Sequence, residues 1–211
     1  MQTAQPDIDF EREKSALEDV REGRAVTDYQ DDYLEELAVY RKIAEKMPEY
    51  DTVLFHGSAV AVDGAAYLFT AKSGTGKSTH VRLWRAMLGG RAVMVNDDKP
   101  LIRIADGRAV VYGTPWSGKH RLNTNISVPV RAICVLHQAK DNSICPVARR
   151  DIYPLLLQQM YRPMCQPALL KSLTLLDRLC SVVALYSMGC NMEPEAAAMS
   201  YAMMRSSHKL I

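Results

Sequence analysis

The stretch Ala71-Lys72-Ser73-Gly74-Thr75-Gly76-Lys77-Ser78 carries residue types that could bind phosphate. It fits a phosphate-binding loop of the Walker A type, with Ala71 in place of the more usual glycine. Gly74 and Gly76 allow a tight curl whose backbone N–H groups face inward onto an anion. The N-terminus of a following helix adds to that field. Lys77 is spaced to reach the β- and γ-phosphates of a nucleotide, and Ser78 can offer a hydroxyl to Mg²⁺. The nucleotide-binding set is therefore Ser73, Gly74, Thr75, Gly76, Lys77, Ser78 and Thr79. A second chemical stretch is Asn96-Asp97-Asp98, at the end of an apolar run. One carboxylate there suits Mg²⁺, and the other could take a proton from an attacking hydroxyl. A third is Lys119-His120-Arg121 in a polar, glycine-containing loop, Gly113–Asn125. Lys119 or Arg121 could neutralise charge on a transferred phosphoryl group, and the planar guanidinium of Arg121 is the better fit.

Such residues act only if the chain positions them. Ala65–Thr70 reads as a strand feeding the glycine loop, and Thr79–Leu88 as a helix leaving it, stopped by Gly89-Gly90. Thr52–Phe55 and Ala59–Val62 read as strands, and Asp63-Gly64 as the hairpin turn into the strand before the loop. The glycine loop is thus preceded by antiparallel pairing. Arg91–Val95 supplies the strand before the two aspartates. Leu101–Ile104 and Ala109–Tyr112 flank Asp106-Gly107 as a second hairpin, and Val130–His137 extends the sheet. Beyond Asp151 the chain reads as mainly helical: Ile152–Met160, Pro167–Leu179, and a closing helix from Pro194 to Met204, with one strand at Val182–Tyr186. The fold class is α/β, a mixed sheet containing a phosphate loop, with a helical C-terminal part.

The 211 residues suit two parts: a charged arm, residues 1–50, and a nucleotide-binding body, residues 51–211. The arm carries 7 Lys/Arg against 14 Asp/Glu, and the body 19 against 10. A basic body suits an anionic nucleotide and an anionic second substrate. Within the arm, Tyr33–Met47 reads as an amphipathic helix that Asp31 or Asp32 caps and Pro48 ends. Residues 1–32 read as a loose arm or a short helix over Phe10–Val20. Apolar content of 48% and charged content of 24% are those of a soluble globular protein. No apolar run spans a bilayer and no signal peptide is present, so a cytoplasmic protein without a membrane partner is expected. Five cysteines without metal or redox spacing read as reduced, mostly buried thiols. No basic run interleaved with aromatics points to nucleic acid.

His56-Gly57-Ser58, the hairpin, Ser73–Ser78 and Asn96-Asp97-Asp98 follow one another in an order that resembles the catalytic domain of HPr kinase/phosphorylase. That family has the fold of phosphoenolpyruvate carboxykinase, and the resemblance covers residues 52–137. Shorter HPr-kinase-like proteins beside peptide-modification genes are also similar. The resemblance implies an ATP- and Mg²⁺-dependent kinase acting on a hydroxyl, a serine in a protein or peptide. It implies Asp97 as general base and Asp98 as the Mg²⁺ partner beside Ser78, with the two exchangeable. His56 would lie next to that pair and orient it. Lys99 stands where those kinases have Arg, and their Arg-Gly-Leu-Gly signature is absent, its place taken by Lys119-His120-Arg121. The arm is too short for that family's N-terminal domain. HPr itself, phosphorolysis and the hexamer are therefore not implied, while a homo-oligomer stays open. Two rival readings remain: a kinase of a small metabolite such as free serine, and a nucleotide-binding sensor or adaptor without turnover.

Overall fold

The structure is a computed structural model that describes residues 31–72, 74–118 and 120–207, with only the backbone described for residues 31–34. The expected helix at Phe10–Val20, Ser73 and Lys119 lie outside the described residues, as do the side chains of Asp31 and Asp32.

In chain order the elements are α1 (Asp31–Lys46), β1 (Thr52–Leu54), β2 (Ser58–Val62), β3 (Ala65–Thr70), α2 (Lys77–Leu88), β4 (Ala92–Asn96), β5 (Leu101–Ala105) and β6 (Arg108–Tyr112). They continue with β7 (Ser127–Gln138), β8 (Ser143–Pro146), α3 (Arg149–Gln159), α4 (Gln166–Val182), β9 (Ala184–Cys190) and α5 (Pro194–Arg205). Two tight turns are set by local chemistry. Asp63 and Gly64 have φ of 50° and 80°, and Asp106 and Gly107 have 52° and 70°. Two successive positive φ values make the hairpin turn whose twist matches its strands.

The long strand β7 joins two parts of one mixed sheet. Its first residues pair antiparallel with β6, which leads through β5 to β1. Its remainder lies between β3 and β9, parallel to both, with Phe69 opposite Cys134 and Cys134 opposite Tyr186. Beyond β3 come β2 and β4, both pairings antiparallel, so β4 runs in the same direction as β3. The carboxyl ends of β3 and β4 and the amino end of β2 thus emerge at one edge. In α/β sheets that edge is where ligands bind.

Alternation along β3 fills both faces. Ala66 and Leu68 join a core with Ile152 and Leu156 of α3 and Leu175, Leu176 and Leu179 of α4. Tyr67 and Phe69 face the other way, onto Val81 and Trp84 of α2 and Ala196, Ala197 and Met204 of α5. A strand buried on both faces reads as a continuous apolar run, which is why Ala65–Thr70 was legible as one. Trp84 is fully buried and donates its Nε1–H to Ser200 Oγ (2.8 Å), tying α2 to α5. The helix α1 packs Tyr40 and Ala44 on Leu54, Trp116 and Tyr161.

The structure adjusts four expectations. β7 starts at Ser127, three residues before the expected strand, because Val128 and Val130 alternate inward while Pro129 faces solvent. β9 is Ala184–Cys190, since α4 continues through Val182. β8 is a strand where none was expected. Among the described residues it pairs only with β9, at the sheet edge, so it needs no apolar run. No disulfide joins the five cysteines, but only Cys134 and Cys180 are buried; Cys145 and Cys165 are exposed. Among the described residues no helix is long and apolar enough to cross a membrane.

Candidate active site

The glycine loop runs from the end of β3 to the start of α2. Gly74 and Gly76 have φ of 80° and 109°, in the left-handed region that favours glycine. The turn is held by Thr75, whose N–H and Oγ1–H both bond to the Lys72 carbonyl (3.2 and 2.7 Å). Ala71 is buried, so the loop's first position serves as packing.

The segment His56–Ser58 lashes the loop's strand to the aspartate pair. Thr70 Oγ1 donates to the His56 carbonyl (2.9 Å). Gly57 N–H donates to the Asp98 carbonyl (2.9 Å), and Ser58 Oγ donates to the Asp97 carbonyl (2.8 Å). A Cβ at position 57 would lie 3.0 Å from the Phe69 carbonyl oxygen, which explains glycine there.

Asn96, fully buried, organises the turn that carries both aspartates. Its Oδ1 accepts the N–H groups of Asp98 and Lys99 (2.8 and 2.6 Å). Its Nδ2 donates to Thr114 and to the Trp116 carbonyl (3.0–3.1 Å). A side-chain amide bonding two or three residues ahead is the turn chemistry expected of asparagine. Here it also clamps the Gly113–Asn125 loop, which the Thr124 N–H to Val95 carbonyl bond (3.1 Å) secures at its far end.

The two carboxylates point into different surroundings. Asp98 Oδ1 lies 3.2 Å from His56 Nε2, and its Oδ2 lies 3.3 Å from Lys99 Nζ. Burial alone would raise the Asp98 carboxyl. The hydrogen bond from His56 and the charges of Lys99, His56 and Lys77 outweigh it and hold the group well below the usual carboxylate range. Lys77 Nζ is 3.2 Å from the same His56 Nε2. Burial lowers the Lys77 ammonium, and the charges of Asp98 and Asp97 act against that shift. His56 Nδ1 faces Gln159 Oε1 (2.9 Å), and the His56 N–H donates to the Gln159 carbonyl (2.7 Å). With Nδ1–H on Gln159, a neutral imidazole accepts from Lys77 through Nε2, whereas a protonated one donates to Asp98. Asp97 instead accepts the Gly118 N–H through Oδ1 (2.6 Å).

Three adjoining cavities surround these groups. The central one, about 500 Å³, is lined by the glycine loop, Lys77, Ser78, Asp97 and Asp98. A second, about 590 Å³, shares Ala71, Lys72, Gly74 and Thr75 and extends between Val135–Gln138, Leu155 and Gln159. A third, about 440 Å³, shares Ser78, Thr79, Asp97 and His120 and extends along Arg82 and Arg85. Asp97 lines the central and third cavities, while Asp98 lines only the central one.

Of the residues expected from sequence, His56, Gly74, Thr75, Gly76, Lys77, Ser78, Thr79, Asp97 and Asp98 all line the central cavity. Arg121 is exposed at φ 50° and lines none of the three; its loop neighbours Gly118 and His120 line the central one. Gln159 and Gly118 carry no sequence signal. Their roles depend on contacts 103 and 21 residues away. Asn96 had one, an asparagine ahead of two aspartates at a strand end.

Ser78 and Asp98 are hard oxygen donors that line the same cavity. Among the described residues no group of three or more His, Cys, Asp or Glu could hold a metal ion by itself. That donor set fits Mg²⁺, which commonly takes one or two protein oxygens and completes its shell with phosphate and water.

No curated protein sequence matches the chain. Among solved structures it is similar to the Hpr(Ser) kinase/phosphatase from Coxiella burnetii, at 10% identity. The match covers 73% of this chain and 99% of that one, with a TM-score of 0.41, a distant likeness that carries no reading of function. The family of the SynChlorMet cassette protein ScmC matches residues 26–160, more than half of the length and including every residue of the central cavity. The chain therefore belongs to the ScmC family.

Proposed function

We propose that the protein is an ATP- and Mg²⁺-dependent kinase that transfers the γ-phosphoryl group to a hydroxyl, that of a serine in a protein or peptide. The observation that carries this reading is the position of Asp97. It lines both the cavity of the glycine loop and the neighbouring cavity that opens along α2. A carboxylate at that junction can meet an incoming hydroxyl opposite the phosphates. The glycine loop's N–H groups and Lys77 would hold the β- and γ-phosphates. The nucleoside would lie in the more apolar cavity beside Val135 and Leu136, on the side away from Asp97.

Ser78 and Asp98 would hold Mg²⁺, which supplies charge neutralisation on the phosphates. Asp98, kept ionised by its cationic neighbours, suits that role. Asp97 takes the hydroxyl proton as the acceptor oxygen bonds to the γ-phosphorus. The bond from that phosphorus to the bridging oxygen breaks, ADP leaves, and the proton passes from Asp97 to solvent. His56, bonded to Gln159 and placed between Lys77 and Asp98, orients both.

The test is transfer from γ-labelled ATP with Mg²⁺ to serine peptides, an HPr-like protein and free serine, offered separately. Label in an acceptor, lost in Lys77→Ala, is the expected result. Nucleotide binding with no label in any acceptor would turn the reading toward a sensor.

A further inference from the structure

The cavity on the acceptor side is built around two arginines. Arg82 and Arg85 are three residues apart on α2, so they share one helix face. Both are exposed and both line the cavity whose inner end is Asp97. Among the described residues neither is paired with a carboxylate. Arg91 and Arg149 are paired with Asp63 and Asp177, whereas Arg103 and Arg108 are, like Arg82 and Arg85, exposed and without an ion pair among the described residues, but line none of the three cavities. The wall also carries His120, and the single carboxylate of the cavity among the described residues, Asp97, lies where it adjoins the cavity of the glycine loop.

We propose that this cavity selects a serine-bearing peptide segment with acidic side chains close to the serine, read by Arg82 and Arg85. The reading rests on the kinase function above and names its substrate class. The spacing supplies the register. Along α2, Arg82 and Arg85 lie roughly 6 and 10 Å beyond Ser78, at 1.5 Å per residue. An extended peptide advances about 3.3 Å per residue. Acidic groups within about three residues of the serine therefore fall within the span of the two guanidiniums, and because side chains of an extended peptide alternate, either neighbour at the second or third position can face them. A free amino acid holding its hydroxyl at Asp97 is too short to engage Arg85 as well. Guanidinium forks suit carboxylates in two-point contacts, which gives the pair a preference for glutamate or aspartate.

The experiment is fluorescence anisotropy of labelled seven-residue peptides, with the protein saturated by a non-hydrolysable ATP analogue and Mg²⁺. The analogue keeps the peptide off the glycine loop. Each peptide has a central serine flanked at the second and third positions by glutamate, glutamine or lysine. The wild-type protein should bind the glutamate peptide about tenfold tighter than the glutamine one. Arg82→Gln/Arg85→Gln should abolish that preference with unchanged affinity for the analogue and an unchanged melting curve. Arg82→Glu/Arg85→Glu should move the preference to the lysine peptide. Equal binding of the three peptides to wild type, no binding of any, or a glutamate preference that survives the double glutamine variant would each overturn the proposal. Displacement of the glutamate peptide by equimolar free O-phosphoserine would also overturn it, in favour of a small anionic acceptor. The kinase reading is judged separately, by label transfer from γ-labelled ATP and its loss in Lys77→Ala.

Discussion

Asp97 and Asp98 are neighbours in sequence but belong to opposite halves of the site. On the Asp98 side, His56, Lys77 and Lys99 close on one carboxylate, and Gln159 of α3 braces the histidine. On the Asp97 side the carboxylate meets, among the described residues, the backbone N–H of Gly118, and faces two cavities. The first half is preorganised by charge, the second by a loop. A carboxylate surrounded by cations makes a poor proton acceptor and a good metal ligand. The proposed function uses this difference, giving the acceptor's proton to Asp97 and the metal to Asp98.

Exchanging the carboxylates for amides one at a time breaks this contrast most directly. Asp97→Asn should lower transfer by about 100- to 10,000-fold while nucleotide affinity holds. Asp98→Asn should raise the Mg²⁺ concentration needed for nucleotide binding, read by titrating Mg²⁺ against analogue binding. Equal effects of the two variants on both readouts would erase the distinction.

The next largest effect lies under the glycine loop, where His80 of α2 is buried against Phe69 and bonds Ser200 (3.0 Å). Burial lowers its pKa to about 4. The unfolded chain therefore takes up the proton first as pH falls. His80 leaves stability intact above about 6.5, and stability is lost progressively from there down to about 4, by roughly 3 kcal/mol in total. Urea unfolding at pH 7.5 and 4.5 should show a clearly smaller loss in His80→Gln than in wild type.

The loop half is tested by Gly113→Ala. Its Cβ would lie 1.9 Å from the Thr124 carbonyl oxygen and 2.8 Å from that of Val95, both backbone atoms. A cost of roughly 1–3 kcal/mol is expected, measured by thermal unfolding. Transfer should fall with it, since Gly118 and His120 ride on the same loop. The smallest effect concerns the acid limb of stability. Asp98 has a depressed pKa, so its contribution is complete above the unfolded value near 4 and is lost as pH falls through that value toward the folded one. Asp98→Asn should flatten the stability profile below about pH 4.

Much of the fold was legible because its cues are local. Asp63-Gly64 and Asp106-Gly107 announce their hairpins through residues that tolerate positive φ. Gly76 and Gly89 bound α2 on both sides, and Pro194 opens α5 where its missing N–H costs nothing. The strand β8 and the start of β7 escaped because edge pairing and a solvent-facing Pro129 leave no apolar run to read. The guanidinium chemistry that suits Arg121 to phosphate does not say where its loop places it: the residue is exposed and lines none of the three cavities.

The sequence by itself determined the parts: a strand, a glycine loop and a helix in succession, two aspartates ending an apolar strand, and a basic body. Those follow from backbone permissiveness, side-chain period and charge, all of which act within a few residues. Only the tertiary structure decided how the parts meet. Placing β2 between β3 and β4 brings both carboxyl ends to one edge. Gln159 reaches His56 from α3, and Gly118 reaches Asp97 from a loop. Those contacts join residues far apart in the chain, and it is the packing of helices on both faces of the sheet that sets their distances. The different surroundings of two adjacent aspartates are therefore a property of the fold.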